Sequence, residues 1–237
     1  MRIASTESVG LGQRVAIVST GVQCSVIPQA SIGKRFQIVS GSVASQPSTQ
    51  DSMGRGTELA LCLIEKAPSV EVIGLDVFNG QAKTNSTILM AAIEEAIAMN
   101  VNVIAVCLQS YNQDRQPLFS QICQQAFANN ISIVSCDSVD KISYPAQIDG
   151  CIGVYSHPDC REHTYYYDPY FFGVEDTRRR VFVSNGWWKG RFWGAEIATI
   201  GIAAQVACLR SSGIEYEKIH HHVAQRAYLP FDSFGFC

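Results

Sequence analysis

Residues 101–108, Val-Asn-Val-Ile-Ala-Val-Cys-Leu, form a short, nearly unbroken apolar run. A stretch of that length, rich in β-branched residues, reads as a strand buried on both faces, and such strands occur in parallel sheets with helices packed on each side. The rest of the chain supplies the partners. Residues 13–18, 70–77, 131–136 and 151–155 read as further strands, and 33–43 as a weaker alternating one. Helical spacing marks 57–66, which stops before Pro68, and 85–99, with Asn85 and Ser86 as a polar start. Residues 118–129, 196–210 and 215–227 read as helices too, whereas the Ser/Gln/Pro/Thr-rich stretch 44–52 reads as a loop. Alternating strands and helices predict an α/β fold with a mostly parallel sheet, whose ligands bind at the carboxyl ends of the strands. After residue 155 the character changes to an aromatic region with hairpin character. At 237 residues and 47% hydrophobic content the chain can bury a large core, and it is expected to form a single domain over 1–237.

Charge and cysteine content narrow the function classes. A net charge of −3 with both signs well mixed predicts no nucleic-acid and no anionic-membrane partner. No apolar run reaches the roughly 18 residues that span a bilayer, and the first residues lack the apolar stretch of a secretion signal. The nine cysteines are odd in number, and Cys62, Cys107, Cys151 and Cys208 lie inside apolar runs. That pattern predicts reduced, buried thiols and a cytoplasmic location. No CxxC pair and no His/Cys spacing suits zinc, so neither a metal site nor a cofactor is expected. His220, His221 and His222 are adjacent on a predicted helix, where successive side chains diverge. Arg178 to Arg180 read as a solvated run, and the apolar tail from Tyr228 to Cys237 as packed on the body or a neighbouring subunit.

Three segments carry more specific information: Val-Ala-Ile-Val-Ser-Thr-Gly at 15–21, Gly-Arg-Gly-Thr at 54–57 and Phe-Trp-Gly-Ala at 192–195. The first two resemble the subtilase (subtilisin-like) patterns of an Asp-Thr-Gly after a strand and a Gly-His-Gly-Thr opening a helix. The third stands where a Thr-Ser-Met-Ala is expected. Residues 67–78, 91–108, 131–136 and the Tyr-Pro-Ala at 144–146 resemble the intervening family segments in the same order. The resemblance implies a subtilisin-like fold: a doubly wound, mostly parallel seven-stranded sheet flanked by helices. It places Ser19, Arg55 and Trp193 at the aspartate, histidine and serine positions of the triad. A neutral hydroxyl does not stabilise an imidazolium, a guanidinium keeps its proton near neutrality, and an indole has no nucleophilic atom. Asp137 stands where the family carries its oxyanion asparagine. These replacements predict a pseudoprotease, not an enzyme.

Arg55 at the amino end of a helix sits unfavourably against the dipole, by about 0.3–1 kcal/mol, and so calls for a partner. That partner is an internal acid such as Asp137 or Glu196, or a carboxylate of a bound peptide; the remaining alternative is a solvent-exposed Arg55 without a role. Trp187, Trp188 and Trp193 either fill the vacated cleft or form an aromatic platform for a partner. The family's substrate-pairing strand matches Cys107, Leu108, Gln109 and Ser110, with Gln109 and Ser110 replacing glycines. The expected peptide-binding residues are therefore Arg55, Leu108, Gln109, Ser110, Trp187, Trp188 and Trp193. The first functional reading is a peptide- or protein-binding partner, by analogy of fold in a peptide-maturation pathway. The others are a subunit in a hetero-complex with an active protease or modifying enzyme, or in a homo-oligomer, and a hydrolase with a relocated nucleophile at Cys160, Ser184 or a histidine.

Overall fold

The structure is a computed structural model that describes residues 9–138, 140–157, 160, 165–168, 180–184, 186–189, 191–192 and 194–227. Trp193, His163, Arg178, Arg179 and the tail from Tyr228 to Cys237 lie outside the described residues.

Seven strands run parallel through the middle of one sheet. In chain order they are β1 (Arg14–Ser19), β2 (Ala30–Val39), β4 (Glu71–Asp76), β5 (Val103–Val106), β6 (Ser132–Cys136), β7 (Ile152–Ser156) and β9 (Arg180–Ser184). Two more, β3 (Ser42–Ser48) and β8 (Tyr165–Asp168), close the edges antiparallel, giving the order β3-β2-β4-β1-β5-β6-β7-β9-β8. The mostly parallel seven-stranded sheet expected from the sequence is this central set. A short hairpin of β10 (Trp187–Trp188) and β11 (Arg191–Phe192) stands apart.

The stretch read as a loop at 44–52 is mostly strand β3, which pairs with β2 across the Ser40-Gly41 turn. Its Ser/Gln/Pro composition misled because an edge strand needs no apolar alternation. Pro47 is tolerated there because an edge strand has only one neighbour to hydrogen-bond.

Alternation along the inner strands sends side chains to two cores. Val15 and Ile17 of β1 face a core built with α1 (Arg55–Lys66), α4 (Ala195–Ser211) and α5 (Tyr216–Arg226). Ala16 and Val18 face the opposite core, with α2 (Ser86–Ala98) and α3 (Gln116–Ala128). Asn85 caps α2 by accepting from the Ile88 N–H at 2.9 Å. All four residues of β5 are buried, as a strand covered on both faces requires. Among the described residues, no helix is long and apolar enough to cross a membrane.

Candidate functional site

The parallel strands deliver their carboxyl ends to one edge of the sheet, and the loops beyond them carry the candidate residues. Ser19 ends β1, 2% exposed, in register with Asp76 at the end of β4. Asp76 is fully buried and is held by Arg35 Nε at 2.8 Å and by the N–H groups of Phe78 (3.1 Å) and Asn79 (2.8 Å).

Arg55 is the first residue of α1, and its position is fixed by a network centred on a residue the sequence reading passed over. Asp51 Oδ1 accepts from Thr20 Oγ1 (2.7 Å), Met53 N–H (3.0 Å) and Gly54 N–H (2.8 Å). Its Oδ2 accepts from both the N–H and the Oγ1 of Thr57, each at 2.7 Å. Thr20 Oγ1 in turn accepts from Gly56 N–H at 2.8 Å. Asp51 thereby satisfies amide groups at the start of α1 and ties them to the end of β1. The legible signal was the aspartate itself, three residues before Gly54 and six before Thr57.

From that helix end the Arg55 guanidinium reaches Glu196 in the first turn of α4. Both Nε and Nη2 donate to the same carboxylate oxygen, Oε2. Asp137, the other acid considered, is engaged elsewhere. Its Oδ1 accepts from Ser138 N–H (2.8 Å), Ser143 Oγ (2.7 Å) and Gln147 Nε2 (3.4 Å), and the side chain is buried. The Arg55 side chain is 40% exposed and that of Glu196 24%. A pair so open to water contributes about 0–1 kcal/mol to stability.

Burial lifts the Glu196 carboxyl above the ordinary glutamate range, and Arg55 pulls it part of the way back. The folded state therefore holds this proton more tightly than the unfolded chain does. The stability it contributes is complete below the unfolded pKa and is lost as pH rises through the folded one. Glu196→Gln is accordingly expected to gain stability relative to the wild type over a window that opens near the ordinary glutamate pKa of about 4 and closes at the raised folded one. Urea denaturation across that window checks this, and parallel curves would contradict it.

Behind the pair lie three buried thiols. Cys62 is pushed up to about 11, mainly by desolvation. Cys107 and Cys136 are raised further, again by burial first. At neutral pH they are protonated and poorly nucleophilic. All eight described cysteines are free. Among the described residues, no group of three or more His, Cys, Asp or Glu side chains is placed to hold a metal ion.

The segment expected to pair with a peptide is partly engaged within the protein. Ser110 N–H donates to the Tyr144 carbonyl at 3.1 Å, and Tyr144 N–H to the Ser110 carbonyl at 2.8 Å, so a peptide strand cannot use those groups. Leu108 packs against the α2/α3 core. Gln109 bridges two loops: its amide donates to the Asp137 carbonyl and accepts from Tyr111 Oη. On the loops after β5 and β6, Tyr111 (49% exposed) and Ile142 (42%) stand in solvent, as does Met53 (53%) just before α1. Lys141 Nζ lies 5.5 Å from the centre of the Tyr111 ring, which draws the loops after β5 and β6 together. Trp187 and Trp188 form β10, paired with β11 in the hairpin that leads into α4. A separate groove of about 580 Å³ lies between β2, α2 and α3, lined by Phe36, Met90 and Leu118 among others. It is remote from Arg55, and the chemistry of the strand ends outweighs its size.

The relocated-nucleophile candidates also meet at this edge, beyond β7 and β9. His157 N–H donates to the Ser184 carbonyl and Cys160 N–H to the His157 carbonyl, each at 3.2 Å.

No protein-family model matches the chain, and no curated protein matches it in sequence. Solved structures share its fold. A lanthipeptide protease aligns at 14% identity over 91% of this chain and 80% of its own, with TM-score 0.67. The S41 psychrophilic protease aligns at 17% identity over 92% and 84%, with TM-score 0.72. A cold-adapted subtilisin-like serine proteinase aligns at 16% identity over 92% and 82%, with TM-score 0.68. The fold is thus subtilisin-like. The expectation that the chain is not an enzyme is corrected by these neighbours: each is a protease, which points toward an enzyme. The matching of Ser19, Arg55 and Trp193 to triad positions led to that expectation, but it speaks for three residues and not for every group along the strand ends.

Proposed function

We propose that the chain grips an extended peptide or protein segment at the carboxyl edge of its sheet and acts in peptide maturation. The observation that carries this reading is the half-exposed Arg55–Glu196 pair at the strand ends, on the same sheet edge as the loops after β5 and β6, where Tyr111 and Ile142 stand in solvent. Exposed apolar side chains on loops at strand ends, beside polar anchors, suit the composition of a binding site. A fold neighbour named as a lanthipeptide protease supports a peptide as the ligand.

Panning a phage-displayed random peptide library on the full chain tests this. Enriched peptides are expected to protect backbone amides of residues 51–57 and 107–112 from hydrogen exchange. Tyr111→Ala is expected to weaken them about tenfold, as loss of an aromatic anchor does. A library that enriches nothing over an uncoated surface would sink the reading.

A second reading, a hydrolase with a relocated nucleophile, is favoured by the backbone bonds that gather His157, Cys160 and Ser184. Serine- and cysteine-directed activity probes discriminate. Labelling abolished by Cys160→Ala or Ser184→Ala supports it, and absence of labelling counts against it.

A further inference from the structure

We propose that Arg55 and Glu196 form a carboxylate latch: Arg55 receives a carboxylate of the bound peptide, and Glu196 is the internal competitor that it displaces. This rests on the peptide-binding reading and adds the ligand's chemistry. Three observations lead to it. The guanidinium is half-open to solvent at the strand ends. Nε and Nη2 both meet one oxygen of Glu196, not the two-oxygen fork of the strongest Arg–carboxylate pairs. An incoming carboxylate able to complete that fork gains what the internal pair forgoes.

The third observation is energetic. Glu196 is lodged where burial disfavours its charge, so the pair is held against a desolvation cost that displacement relieves. A guanidinium placed at a helix amino end is disfavoured by the dipole, and an anion beside it offsets that. With Glu196 turned out to water, a ligand carboxylate takes over that role. Other groups around Glu196 do not replace it as the partner: Cys107 and Cys136 are protonated thiols, and Asp137 is engaged by Ser138, Ser143 and Gln147.

The peptide carboxylate has two sources, the chain terminus or an acidic side chain, and the test separates them. Three fluorescein-labelled pools of about ten-residue peptides with randomised interiors serve as probes. One has a free carboxyl terminus, one a carboxamide terminus, and neither contains Asp or Glu. The third is the carboxamide pool with a single central Glu. Fluorescence polarisation with the full chain is expected to show one acid-bearing pool binding about tenfold more tightly than the neutral pool, and the preferred pool names the source. Glu196→Gln is expected to raise the preference for that pool over the neutral pool a further several-fold. Arg55→Gln erases the preference.

Equal binding of all three pools, unaltered by Glu196→Gln, overturns the latch while leaving the peptide-binding reading intact. No binding of any pool to the wild type or to Glu196→Gln overturns both. If Arg55→Gln does not fold, the Glu196→Gln arm alone decides.

Discussion

Replacing the half-buried Asp51 with alanine is expected to cost about 2–4 kcal/mol of folding stability, because it removes both the cap of α1 and the part-buried bonds that tie the helix to the end of β1. The five groups that donate to its carboxylate, at 2.7–3.0 Å, come from Thr20, Met53, Gly54 and Thr57. Each bond to an ionised acceptor contributes about 1.5–3 kcal/mol, but such values do not add within one network, which sets the upper limit. For a chain of this size the loss corresponds to a fall in Tm of about 5–15 °C. Asp51→Asn is the informative companion. It keeps one acceptor oxygen for Thr20, Met53 and Gly54 but turns an NH2 toward the Thr57 donors, so it is expected to recover only part of the stability. Urea denaturation of the two variants checks the ranking. An Asp51→Ala protein as stable as the wild type would mean that the tie between β1 and α1 is not needed.

The contrast between Asp51 and Arg55 shows how far the sequence could be read. Parallel strands were legible because burial on both faces leaves a continuous apolar run, as in β5. Helix α2 was legible because Asn85 and the spacing of Ile88, Ala92 and Ile93 signal a cap and a stripe. Strand β3 was not, since Ser, Gln and Pro at a sheet edge look the same as in a loop. For the site, the helix dipole demanded an acid for Arg55 and offered Asp137 and Glu196 as equals. Only the fold separates them, because Glu196 lies 141 residues away and is brought close by the packing of α1 on α4. Asp137 turns instead toward Ser143 and Gln147. Asp51 escaped notice because its role depends on a turn that returns the chain to Thr20, and no periodicity marks such a turn. Ser110 looked available for strand addition because nothing local to it announces that Tyr144 takes both its backbone groups.

Gly56→Ala is expected to be at least as damaging as Asp51→Ala, and for a reason of space alone. A Cβ built on Gly56 would lie 1.9 Å from the Gly21 carbonyl oxygen, well inside any tolerable carbon–oxygen contact. The oxygen is a backbone atom and the backbone fixes where the Cβ sits, so no side-chain rotation relieves the clash. The first turn of α1 must move away from the turn after β1 by more than about 1 Å, beyond what a close-packed interior absorbs without loss. That movement also breaks the buried Gly56–Thr20 bond. Intrinsic helix propensity works in the opposite direction, favouring alanine over glycine by about 1 kcal/mol. Gly201→Ala isolates that term: Gly201 lies within α4, and a Cβ there meets nothing within 4 Å. The two variants are thus expected to shift in opposite senses, Gly56→Ala losing at least about 3 kcal/mol and Gly201→Ala gaining about 0.5–1 kcal/mol. Because Arg55 precedes Gly56, the displaced turn carries the guanidinium away from Glu196, and any folded Gly56→Ala protein should also lose its preference for acid-bearing peptides. A Gly56→Ala protein with wild-type stability and preference would show that α1 does not approach β1 this closely, and with that the placement of Arg55 at the strand ends would fall.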